Sequence, residues 1–231
     1  MANVEPKRAF GSRHAGPNPG IVAIVFTVLF LAGLVPVTLL VSDTHFPSPL
    51  QSADEMVAYF RANADKVAIC AFFQFGAAIP LGIYTATMTS RLRFLGARVA
   101  GVDIALFGGL AASLLTLLSA LAQWVLARPG IAADGTVVQA LYYLIFAMGG
   151  PGYSVPLGLL CAGISVPALF MRLLPKWVGI LGLVLAVIGE LSALSLVIPQ
   201  ALFLIPLTRF PGFVWLIAAG FKLPSHRVRP D

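Results

Sequence analysis

Charge is what this sequence has least of. Only 10% of its 231 residues are Asp, Glu, Lys or Arg, against about 25% in an ordinary soluble domain. The hydrophobic set makes up 59% and the mean hydropathy is +0.93. Such a chain cannot cover a core with polar surface, so soluble enzymes, nucleic-acid binders and disordered tails are excluded as wholes. Histidine is almost as scarce: His14, His45 and His226 all fall outside the apolar runs. No Ser–His pair or metal cluster can therefore form within the spans. The two cysteines, Cys70 and Cys161, sit singly inside apolar runs and read as small buried hydrophobes. No Cys-x-x-Cys exists to suggest a metal or redox motif. Gly152-Tyr153-Ser154-Val155-Pro156 lacks the second glycine of a nucleophile elbow. There is no Walker lysine and no Gly-x-Gly-x-x-Gly on a strand. No catalytic residue, metal or cofactor is expected, and no nucleic-acid partner; the partner is the lipid bilayer.

Long apolar runs are abundant. A spanning helix needs about 20 mostly apolar residues, and six segments qualify: roughly 21–41, 67–90, 99–126, 153–171, 178–198 and 202–223. The expected fold is all-α, a polytopic six-span transmembrane bundle over residues 21–223. Flexible basic tails precede it (1–20) and follow it (224–231). The first run is too long for a signal-peptide core and no small-x-small site precedes Asp43, so it is read as retained. Residues 43–66 form the only long polar loop. There Ser52-Ala53-Asp54-Glu55 spells a capping box, and Met56, Val57 and Phe60 give the next few turns an apolar stripe. A short amphipathic helix lying on the outer membrane surface is expected. Gly149-Gly150-Pro151-Gly152 splits residues 137–171, which makes 137–148 a short or half-inserted helix before span four. Such a break either lines a cavity or merely joins a surface helix to the span.

The positive charges sort to one side. Lys7, Arg8 and Arg13, then Arg91, Arg93 and Arg98, Arg172 and Lys176, and finally Lys222, Arg227 and Arg229 fall at the same face of a six-span chain. The opposite loops carry Arg61, Lys66 and Arg128 among Asp43, Asp54, Glu55, Asp65 and Asp134. By the positive-inside rule both termini are cytoplasmic. The net charge of +6 is thus a topology signal. Arginine outnumbers lysine 11 to 4 and no Asn-x-Ser/Thr sequon is present, which suits a bacterial inner membrane and a GC-rich genome.

Ionisable groups at membrane depth are costly and point to function by default. Glu190 falls mid-way along the fifth span and Arg209 at matching depth in the sixth. Antiparallel neighbours at equal depth are expected to place the two in an intramembrane ion pair, either a packing device or a substrate or proton site. Arg209 could also snorkel to the outer interface. Asp103, near the cytoplasmic end of the third span, is read as pairing with Arg98 or capping the helix, and alternatively as part of a proton relay. A polar path could be lined by Asp103, Gln74 and Gln123, with Ser113, Thr116 and Ser119. Trp124 and Trp177 fall near span ends, as interfacial anchors do.

The capped outer helix, Arg172-Leu173-Leu174-Pro175-Lys176-Trp177-Val178-Gly179 at the head of the fifth span, and Arg209-Phe210-Pro211-Gly212-Phe213-Val214-Trp215-Leu216 in the sixth resemble an uncharacterised family of small six-span bacterial integral membrane proteins, a domain of unknown function. The resemblance covers residues 20–224. It implies the architecture and brings no activity, substrate or site. Function is left between a non-enzymatic membrane scaffold, sensor or integrity factor and a small transporter or permease using the Glu190–Arg209 pair.

Overall fold

A computed structural model describes residues 13–41 and 46–226; Lys7, Arg8, Asp43, His45, Arg227 and Arg229 lie outside the described residues. Eight α-helices follow in order: α1 (Pro19–Thr38), α2 (Ala53–Ala62), α3 (Ala64–Phe94), α4 (Ala100–Leu126), α5 (Gly135–Gly149), α6 (Pro151–Phe170), α7 (Lys176–Leu191) and α8 (Leu204–Lys222). Six stretches are long and apolar enough to cross a membrane, with α5 and α6 counted as one. Among the described residues there is no strand. Hydrocarbon offers no partner to backbone N–H and C=O groups, so the chain closes them within helices.

The spanning helices form a closed up-and-down ring. Each packs against the next in sequence, α1 on α3, α3 on α4, α4 on α6, α6 on α7 and α7 on α8, and α8 returns to α1. The return is tight. A Cβ on Gly220 would lie 2.6 Å from the Gly20 backbone nitrogen, so only glycine lets these two helix ends meet. Large apolar side chains point outward, Phe170 at 87% and Phe72 at 71% exposure, which inverts the arrangement of a water-soluble protein. Trp124 and Trp177 are exposed near helix ends, and the Arg128 guanidinium lies 4.2 Å from the Trp124 ring centre.

The ring interior divides into two halves. On the side bearing the termini it is filled by Tyr84, Met88, Leu157, Leu160, Trp215 and Leu216, all fully buried or nearly so. Tyr84 donates to the Leu216 carbonyl and Trp215 to that of Val178. On the opposite side a second cluster gathers Val37, Met56, Tyr59, Phe60, Cys70, Leu126 and Tyr142.

The short helix α2 corrects one expectation. Its capping box is present: Glu55 N–H donates to Ser52 Oγ, and Ser52 N–H donates back to Glu55 Oε2. Its apolar stripe does not face lipid. Met56, Tyr59 and Phe60 are at most 2% exposed, because the open ring offers them an apolar cluster to cover. Tyr59 donates to the Val37 carbonyl, and Arg61 reaches the carbonyls of Ala132 and Ala133. Burial, with a smaller contribution from Cys70, pushes the Tyr59 phenol up to about 12. With these contacts α2 is a docked cap on the bundle.

The helical segments around residue 190 also differ from expectation. The fifth span is α-helical only to Leu191, and a 3-10 turn (Ser192–Leu196) follows. Glu190 thus sits at the end of α7 and not at its middle.

Candidate functional site: a polar cavity around Arg209

The α5–α6 break builds the site. Pro151 has no N–H to continue the helical ladder. The Tyr153 N–H turns to the Gly150 carbonyl, which leaves the Gly149 carbonyl free of a backbone donor. Arg209 of α8 fills that role: its Nη2 donates to Gly149 O. A cation is favoured there because the C-terminal end of α5 carries the negative pole of its helix dipole. The guanidinium is flanked by rings, its carbon 4.9 Å from the centre of Tyr153 and 5.2 Å from that of Phe30. Its Nε is buried with no hydrogen-bond partner.

Beside it lies a cavity of about 160 Å³ in the half of the ring away from the termini. Gln74 of α3, Thr116, Ser119 and Gln123 of α4, and Gly149 and Gly150 line it with Arg209. Phe30, Leu34, Phe46, Tyr142, Ile145, Phe146 and Ile205 supply the apolar wall. Thr116 and Ser119 spend their protons on the Ala112 and Ile145 carbonyls, so their oxygens can only accept. Gln74 donates to Cys70 Sγ at 3.4 Å. Gln123 is 4% exposed and its Oε1 has no partner. Among the described residues no Asp or Glu lines the cavity. The walls thus offer one half-buried cation with a buried Nε, one orphaned amide oxygen and an aromatic surround.

The Glu190–Arg209 ion pair does not form. Arg93–Asp103 is the only ion pair among the described residues, and Glu190 is exposed on the outside of α7. The azimuths rule it out. Residues of an α-helix advance about 100° each, so Gly182, Ala186 and Gly189 hold the packed stripe of α7 while Glu190 turns away from it. A Cβ on Gly189 would sit 2.7 Å from the Ser154 carbonyl, which shows how closely that stripe meets α6. Glu190→Gln is accordingly expected to change stability by less than ~0.5 kcal/mol, measured by unfolding in detergent. A loss of several times that size would restore the pair.

Asp103 is likewise not part of a polar path. It meets Arg93 at 2.5 Å, with both side chains exposed (71% and 47%) on the termini side. Its expected partner, Arg98, lies just before α4, whereas Arg93 is in the last turn of α3 and faces Asp103 across the turn. Ser113 is spent elsewhere, donating to the Ala78 carbonyl. Gln74 and Gln123 do converge, and they converge on Arg209. The residues not foreseen are Tyr142, Phe30, Tyr153 and Phe46. Tyr142, Tyr153 and Phe46 have only their proximity to the Gly149–Pro151 break or to the outer loop as a sequence signal, and Phe30, inside the first apolar run, has none.

Comparison with protein-family models, with curated proteins and with solved structures finds no match to this chain. The resemblance drawn from residues 172–179 and 209–216 therefore brings no residue role to the cavity, and the chemistry must be read from its walls.

Proposed function

We propose that the protein is a non-enzymatic membrane sensor that binds a small carboxylate with an apolar body in the Arg209 cavity. The observation that carries this is the buried Arg209 Nε, left without a partner beside a cavity that no acidic side chain lines among the described residues. Leaving a buried charged donor unpaired costs more than leaving a neutral one. A carboxylate would satisfy it with short, charge-assisted bonds, and a ligand N–H or O–H would satisfy Gln123 Oε1. The volume suits a ligand of benzene-like size, since engineered cavities of about 150 Å³ accept benzene. The test is a thermal-shift panel of small carboxylates, from acetate to benzoate, on purified protein. Stabilisation that rises with the apolar body, and that the matched amides do not give, supports the reading. A flat panel ends it.

A transport reading has one observation in its favour. Broken helices that aim an N-terminus at a central site are a device of carriers, and α6 begins at the cavity. Against it, the termini-side half of the ring is closely packed. Uptake of a binding carboxylate into proteoliposomes would decide for transport, and binding without uptake for sensing.

The same proposal places the chain in a bacterial inner membrane with both termini in the cytoplasm. Arg91, Arg93, Arg172, Lys176 and Lys222 support it, since all lie toward the face on which Arg13 meets His226. An alkaline-phosphatase fusion at the C-terminus is expected to be inactive. Activity would invert the topology.

A further inference from the structure

The termini-side face carries a second built feature, remote from Arg209. The described parts of the two tails pair with each other: Arg13 and His226 form an isolated antiparallel bridge, and His14 N–H donates to the Ser225 carbonyl at 2.9 Å. Between this pair and the ends of α3 and α8 is a cleft of about 450 Å³. Arg13, His14, Arg91, Lys222 and His226 all line it, and no Asp or Glu does among the described residues. The first turn of α1, capped by Asn18, opens on the same space.

Arg91 makes this more than a basic surface. In sequence it falls in the basic loop after the second span, yet it is 6% exposed. One guanidinium nitrogen donates to the Leu223 carbonyl at 3.2 Å, and Nε is buried with no partner. His14 Nδ1 is also buried without a partner, while its Nε2 lies 3.0 Å from Ser90 Oγ. Three cations, Arg13, Arg91 and Lys222, around one cleft repel one another unless an anion joins them. With donors converging from two helix ends and both tails, the arrangement suits a group with several acceptor oxygens better than a single carboxylate.

We propose that this cleft binds a phosphate group and that the bound phosphate holds the two tails together on the bundle. Two sources share that chemistry: the headgroup of an anionic phospholipid, which basic pockets at helix ends recognise, or a soluble phosphate. Arg91 supplies the buried contact, and Arg13 and Lys222 supply the exposed ones.

The test uses the full chain in phosphatidylcholine nanodiscs, with and without phosphatidylglycerol, and separately with inorganic phosphate. The readouts are retained lipid by native mass spectrometry and the unfolding temperature. Wild type is expected to keep phosphatidylglycerol selectively, to be stabilised by phosphate, or both; which arm responds names the source. Arg91→Gln is expected to weaken binding roughly tenfold or more for each charge-assisted bond lost. Arg13→Gln with Lys222→Gln should weaken it without touching the core, and that pair decides alone if Arg91→Gln fails to fold. Equal retention of phosphatidylcholine and phosphatidylglycerol with no phosphate stabilisation overturns the proposal. So does binding unchanged in every folded variant.

Discussion

Arg209→Leu is expected to abolish carboxylate stabilisation of the protein while costing little in the ligand-free state. Two effects oppose each other in that state. Removing the guanidinium leaves the Gly149 carbonyl without its donor, a loss of about 1–3 kcal/mol. It also removes a cation whose burial carries a penalty of several kcal/mol and whose Nε is unpaired. The two nearly cancel, so the unfolding free energy should move by no more than ~1–2 kcal/mol. In the bound state the cancellation is absent. A carboxylate that loses charge-assisted bonds of about 1.5–3 kcal/mol binds roughly ten- to hundred-fold more weakly. Arg209→Lys keeps the charge but not the planar fork, so it should bind with intermediate strength. The contrast separates a ligand site from a helix cap. A purely structural Arg209 would give a large stability loss and leave the response to carboxylates, measured by thermal shift, the same in the surviving protein.

The second large effect is expected at the seam between α4 and α6, the most extensive helix pair in the bundle. Gly101, Ala105 and Gly108 place small residues along one side of α4. A Cβ on Gly108 would lie 2.6 Å from the Pro156 carbonyl oxygen and 2.8 Å from the Leu160 nitrogen. A Cβ on Gly163 would lie 2.6 Å from the Ala105 nitrogen and would also strike the Gly101 carbonyl. These are backbone atoms, which cannot rotate away as a side-chain tip can. Apolar area gives little drive between helices in lipid, so close backbone approach is what holds such a seam. Gly108→Val and Gly163→Val are expected to lose more than ~3 kcal/mol, beyond the usual 1–3 kcal/mol of overpacking. Loss of the monodisperse peak in size-exclusion chromatography would report it. Gly76→Ala is the control, because its new Cβ would meet nothing closer than Leu29 Cδ1 at 4.0 Å. Equal behaviour of Gly108→Val and Gly76→Ala would mean that α4 and α6 do not pack this way.

The two sites were unequally legible in the sequence. Gln74 and Gln123 stand out because polar amides are conspicuous in apolar runs, and the Gly149–Pro151 break because proline cannot continue the hydrogen-bond ladder. Those signals are local, and all three features line the cavity. Glu190 misled because depth along a helix can be counted from sequence, whereas azimuth depends on which stripe packs; the glycine stripe through Gly182 and Gly189 turned the carboxylate outward. Arg91 misled in the opposite direction. It reads as a loop charge, but α3 continues to Phe94, and the tails lie across the last turn.

Six apolar stretches, the short capped helix and the sorting of positive charge were determined by the sequence alone. The reason is that the bilayer imposes length, hydropathy and capping rules residue by residue. Charge scarcity follows from the same rules. What only the tertiary structure decided is what the few inward charges do. Ring closure through Gly20 and Gly220 brings residues 13–14 and 225–226 together beside Arg91, and the α5–α6 kink presents a free carbonyl to Arg209. Both outcomes depend on helix rotation and contact between distant segments, and these arise only when the helices pack.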